Sequence, residues 1–220
     1  MYTMTAQLNK PFPNVMTEDA KSVFTPNSRW EREYYKVLNM VNYHVESLMK
    51  RFHPDDPNTS ITVIRELQMY AEKITTWAKN EVATVVYNLN NDTKQKWERH
   101  SLLMSKQLRE ELGKAPIKPL MNQYINDNIS LIQSIPLQAA KKIEKIVLEN
   151  LKAGKKRAES LTDIIMEIGK LPESMRSRAK LIARTEISKM ETGLTKARCE
   201  ALDMNWYVWR STHDMRVRSS

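Results

Sequence analysis

The chain has 220 residues, 41% hydrophobic and 28% charged, which excludes a disordered tail and suffices for one sizeable core or two small ones. Its single cysteine, Cys199, rules out an internal disulfide; no window has the apolar length of a membrane span, and MYTMTAQLNKPFP lacks the basic and apolar segments of a secretory signal, so a soluble protein made in a cytoplasm is expected. With 35 Lys and Arg against 26 Asp and Glu the formal charge is +9, a bias toward polyanions, nucleic acid first and acidic protein surfaces second.

Four glycines against 13 methionines favour helices over turn-rich sheets. Residues 1–26, with Pro11, Pro13 and Pro26, read as an extended N-terminal arm. Ser28 with Glu31 resembles a capping box opening a helix that places Trp30, Tyr34, Val37, Leu38, Val41 and Val45 on one side and closes at Pro54. His53-Pro54-Asp55-Asp56-Pro57-Asn58 reads as an inter-helix turn rather than a metal site. A second helical pattern runs from Ser60 to about Asn90, punctuated at Asn88 to Asp92, and a third, more polar, from Thr93 to Leu112 before Gly113. This gives an N-terminal helical region over 27–113.

Prolines open two further expected helices, Pro119–Ser134 and Pro136–Ala153, and a short one capped at Ser160 or Asp163 closes at Gly169. The spine follows from Ser174 to Asp203. Ala179, Ala183, Ile187, Met190, Leu194, Ala197 and Ala201 recur on it at steps of three and four, the stripe of a core-facing helix. These form a C-terminal helical region, 119–203. Alternation from Trp206 through Trp209 to Ser211 reads as a strand, so 204–220 is expected to begin a small sheet that is incomplete at Ser220, since a lone strand leaves its backbone groups unpaired. The expected fold is mainly α: a long-helix bundle with a small C-terminal α+β portion of one strand or hairpin.

Between Lys141 and Lys180 stand 11 Lys and Arg against 6 Asp and Glu, a net of +5, and Lys155, Lys156 and Arg157 after Gly154 are the candidate phosphate contacts. No aromatic residues interleave with them as a stacking platform for single strands requires. Cys199, His213 and Asp214 are too few for a closed zinc site. Arg184 and Glu186 lie about 200° apart on a helix and cannot form one catalytic pair; each is expected to fix a neighbouring element by a charge-assisted hydrogen bond. No phosphate-binding glycine loop, nucleophile elbow or metalloprotease helix occurs, and neither enzymatic activity nor a cofactor is expected.

Arg184-Thr185-Glu186 in a long helix, followed by a strand bearing Trp209 and the run Asp214-x-Arg216-x-Arg218, resembles the C-terminal part of the phage Mu F-like minor head proteins, the head morphogenesis family of tailed phages. The resemblance covers about Leu181 to Arg218. It departs at Glu191-Thr192-Gly193-Leu194, where members often place Asn-x-Gly-Arg, so the arginine of that slot is missing. The resemblance implies a minor capsid protein inside the virion at the portal vertex, made in the host cytoplasm and acting in head morphogenesis and in genome packaging and ejection. Its implied partners are the portal protein, the major capsid or scaffolding protein and packaged double-stranded DNA, with no membrane, and with an oligomer around the portal as an option. Two alternatives stay open: a non-specific DNA-binding protein, and a nuclease or toxin-type effector delivered with the genome, with His213 as general base and Arg216 or Arg218 holding phosphate.

Overall fold

The computed structural model describes residues 28–53, 57–101, 110, 115–152 and 157–202. Its elements there are five helices: α1 Ser28–Met49, α2 Pro57–Lys73, α3 Thr75–Ser101, α4 Ile117–Lys152 and α5 Arg157–Ala201. The chain is mainly α. The expected strand around Trp209 lies outside the described residues.

Periodicity locates the helices, but the punctuation differs from the expectation at three places. Asn88 to Asp92 does not end a helix: α3 runs through it, because Val85 and Val86 before it and Leu89 within it are buried, and Thr93 after it bonds its hydroxyl back to the Leu89 carbonyl at 2.7 Å. The interruption falls instead at Ile74, between α2 and α3, and it is slight, since the Ile74 and Ala78 amides still donate to carbonyls four residues back. Pro136 opens no new helix but sits within α4, with Ile132, Ile135, Ala139 and Ala140 buried around it. An interior proline costs about 3 kcal/mol, whereas burying each large aliphatic side chain contributes roughly 1.5–3 kcal/mol, so the apolar face decides the outcome.

The third difference concerns the spine. The expected short helix ending at Gly169 and the spine beginning at Ser174 are one helix, α5, whose 45 residues contain Pro172. Ile168 just before the expected break and Leu171 within it are buried, which keeps this turn on the core. Open space surrounds the position a Gly169 Cβ would take. Gly169→Ala is therefore expected to stabilise the chain by about 0.5–1 kcal/mol, the helix-propensity difference, and to raise Tm by about 1–4 °C in a thermal melt. A glycine ending a helix with positive φ gives the opposite sign.

The buried residues of all five helices join in one core cluster. α1 and α5 run antiparallel, as Arg176 pairs with Glu46 at 2.6 Å while Lys180 lies over the Tyr35 ring. α5 is also antiparallel to α3, through Lys96 to Glu191 at 2.8 Å and Arg198 to Asn90, and to α4 beside it. Within α5, Ala179, Ala183, Ile187, Met190 and Leu194 are each at most 2% exposed. The stripe then departs from expectation: Ala197 is half-buried and Ala201 exposed, and Arg198, four residues after Leu194, takes the buried position.

Leu194, which stands in the slot where the resembling family often has arginine, is wholly buried in the core. Its neighbour Gly193 has a packing reason. A Cβ there would collide with the Tyr124 hydroxyl of α4 and lie 3.1 Å from its ring, so α4 and α5 approach closely only without one. Gly193→Ala is expected to destabilise by about 1–3 kcal/mol through overpacking, despite the helix-propensity gain. Tyr124→Phe in the same chain, which removes the clashing oxygen, is expected to restore most of the stability in a double-mutant cycle of denaturant unfolding.

Candidate functional site

Polar groups at the centre of the bundle are used to hold helices together. The Tyr34 hydroxyl of α1 donates to Asn128 Oδ1 of α4 at 2.6 Å, and Asn128 Nδ2 donates to the Tyr124 carbonyl at 2.8 Å. Burial, and then the Glu186 carboxylate, push the Tyr34 phenol far above its ordinary range; burial, then Glu186 and Asp127, raise Tyr124. Both stay neutral at physiological pH, and Tyr34 fastens α1 to α4. The Glu186 side chain is only 12% exposed and meets Lys189 Nζ of its own helix at 3.5 Å, so among the described residues the hydrogen bond expected from it to a neighbouring element is not made.

Arg184 and Thr185, beside Glu186 in sequence, face outward. Among the described residues no hydrogen bond or ion pair reaches Arg184, so the inter-element bond expected of it is not made there. The cause is helical: the stripe positions Ala183 and Ile187 point to the core, which turns Arg184 to solvent. The string thus divides into an inward carboxylate and an outward arginine and threonine.

The other expected site residues are separated. Lys155, Lys156, Trp209, His213, Asp214, Arg216 and Arg218 lie outside the described residues, and Arg157 is the first residue of α5 rather than part of a loop. Cys199 is half-buried, its thiol pushed up by burial and then by Glu200, so it is a poor nucleophile. Among the described residues no three His, Cys, Asp or Glu side chains could share a metal ion, and no helix is long and apolar enough to cross a membrane.

What the bundle does bring together is charge. α4 carries exposed Lys141, Lys142 and Lys145, and α5 carries exposed Arg176, Arg178 and Lys180. Lys142 and Arg178 line one cavity between α1, α4 and α5, so the two basic stretches meet there. Arg176 is neutralised by Glu46 and Lys145 by Glu149, while among the described residues neither Lys142 nor Arg178 has an ion-pair partner. Asn42 of α1 also lines this cavity, although it is only 4% exposed.

A second polar junction fastens α3 to α5. The Arg198 guanidinium, 2% exposed as a residue, donates to the Leu194 carbonyl, to the Asn90 carbonyl and to Asn90 Oδ1 at 2.6 Å. Burial lowers its pKa, partly countered by Glu98, but an arginine in proteins remains charged. Neither Asn42 nor Arg198 stands out among the residues expected from the sequence. Each breaks an apolar helical register, Asn42 four residues after Leu38 and Arg198 four after Leu194, and that interruption is the signal that could have found them.

No protein-family model matches the chain, and no solved structure matches it. It is similar to a Haemophilus influenzae protein described only as uncharacterized, with 35% identity over 100 residues, 46% of this chain and 22% of that protein. The match therefore spans about a fifth of the relative's length.

Proposed function

We propose that the chain is a minor head protein of a tailed bacteriophage that acts by binding, presenting its long helices to the portal and capsid or scaffolding proteins and its basic face to packaged DNA. The observation that carries this reading is the division of the family-like string on α5: Glu186 is turned to the bundle, whereas Arg184 and Thr185 are displayed on its outside. An arginine held outward by a rigid helix, with no bond to its own chain among the described residues, suits recognition of a carboxylate or phosphate on a partner. The cations at the α4–α5 cavity and the +9 charge favour DNA as a further partner. Lys155, Lys156 and Arg157 belong to the same proposed interface by their place in the sequence between α4 and the body of α5.

Co-expression with the other head genes followed by gradient sedimentation tests the assembly role: the chain is expected to travel with procapsids, and Arg184→Asp to reduce its share there without altering its melting curve. A chain that stays at the top of the gradient contradicts the role. For the DNA interface, replacing Lys155, Lys156 and Arg157 by Ala is expected to lower the slope of log affinity against log salt by about 0.9 for each phosphate no longer neutralised, measured with a random-sequence duplex. An unchanged slope removes these residues from the interface.

A further inference from the structure

Between Ser174 and Thr192 every exposed residue of α5 is basic, a serine or threonine, or Leu181. The acids of this stretch, Glu186 and Glu191, have side chains only 12% and 14% exposed and are paired with Lys189 and with Lys96 of α3. Three of its cations are engaged within the bundle: Arg176 with Glu46, Lys180 over the Tyr35 ring, and Lys189 with Glu186 and, at 3.9 Å, with Asp127. Arg178 and Arg184 are left, each without an ion-pair partner among the described residues.

These two arginines stand three residues before and three after Leu181, so all three occupy one outward face of the helix, within about 120° of arc, with the arginine positions about 9 Å apart along its axis. Leu181 is 65% exposed. A lone exposed leucine is ordinary on a protein surface. One set between two unpaired arginines, on about 27 Å of helix that exposes no acid, has instead the make-up of a contact, an apolar centre with charge on either side.

Each guanidinium pairs best with a carboxylate, through a fork of two N–H groups. A row of DNA phosphates also attracts arginines, but it brings no apolar surface to Leu181. We infer that this face of α5 docks an acidic helix of a partner protein, two carboxylates about two turns apart meeting Arg178 and Arg184 while an apolar residue between them covers Leu181. The surface deepens the proposed function, since it rests on Arg184 meeting a partner, and it makes that partner protein rather than DNA.

Fluorescence anisotropy of the full chain with a labelled alanine-based helical peptide, bearing two glutamates two turns apart and a leucine between them, tests the surface. The peptide is expected to bind, and its counterpart with glutamines for the glutamates to bind at least about 10-fold more weakly. Arg178→Gln and Arg184→Gln are each expected to weaken the acidic peptide about 10-fold, and Leu181→Ser about 3- to 10-fold, with melting curves unchanged because all three residues are exposed. Exchanging the peptide's leucine for serine is expected to remove the effect of Leu181→Ser, which general attraction to a basic protein does not explain. Equal binding of the glutamate and glutamine peptides, or acidic-peptide binding indifferent to Leu181→Ser, overturns the assignment. So does a random-sequence duplex that loses affinity with Arg178→Gln and Arg184→Gln while the peptide does not, which gives the face to DNA. A chain that travels with procapsids and ignores the peptide counts against this surface alone; one that binds the peptide as described yet stays at the top of the gradient supports the surface and counts against the role in heads.

Discussion

Ala183→Asp is expected to leave the chain without a cooperative unfolding transition. Ala183 is 2% exposed in the middle of α5, between the buried Ala179 and Ile187 on a face that packs into the shared core. A carboxylate there is desolvated without a partner, which costs several kcal/mol, and domains of this size are stable by only about 5–15 kcal/mol. The adjacent substitution Arg184→Asp introduces the same group one residue along and is expected to shift stability by no more than about 0.5 kcal/mol, since Arg184 is exposed. Thermal melts followed by circular dichroism compare the two directly. Similar melts for both contradict the burial of this face, and a large destabilisation by Arg184→Asp shows that the arginine does fix a neighbouring element.

Arg198→Ala is the second large effect, expected to cost about 3 kcal/mol in denaturant unfolding. Truncation leaves a cavity between α3 and α5 and removes the donors from the Asn90 carbonyl and Oδ1. Arg198→Met separates these contributions. It fills most of the space and abolishes a buried charge that among the described residues has only neutral oxygens in hydrogen-bond contact, so it is expected to cost clearly less than Ala, in line with buried charges replaced by apolar groups of similar volume. Should Met prove as damaging as Ala, the hydrogen bonds to Asn90 hold the junction, and packing matters little.

The two variants also show how far the sequence was legible. The apolar stripe from Ala179 to Leu194 was readable because a period between three and four has one structural solution, a helix with a buried face. The stops were harder. Pro136, Gly169, Pro172 and Asn88 to Asp92 are local signals of a fraction of a kcal/mol to about 3 kcal/mol, and neighbouring buried residues such as Ile132, Ile168 and Leu89 outweigh them. Two expected helices merged into α4 and two more into α5 for that reason. The candidate site was less legible still. Lys142 and Arg178 are 36 residues apart in sequence and line one cavity because α4 and α5 are antiparallel, and Asn42 of α1 reaches the same place by donating to the Met175 carbonyl. Neither contact is local. The inward turn of Glu186 and the outward turn of Arg184, by contrast, follow from their registers beside Ile187 and Ala183.

Cross-linking with mass spectrometry on purified heads, assembled in a host that expresses this chain with the head genes of a tailed phage, tests the central proposal most directly. The account predicts that the chain is present at a few copies per head, and that a cross-linker placed at Ser188→Cys, exposed one helical turn after Arg184, in a Cys199→Ser background joins it to portal protein and not at random to major capsid protein. Heads of normal composition that lack the chain, or that carry it without any cross-link from α5 to the portal, contradict it.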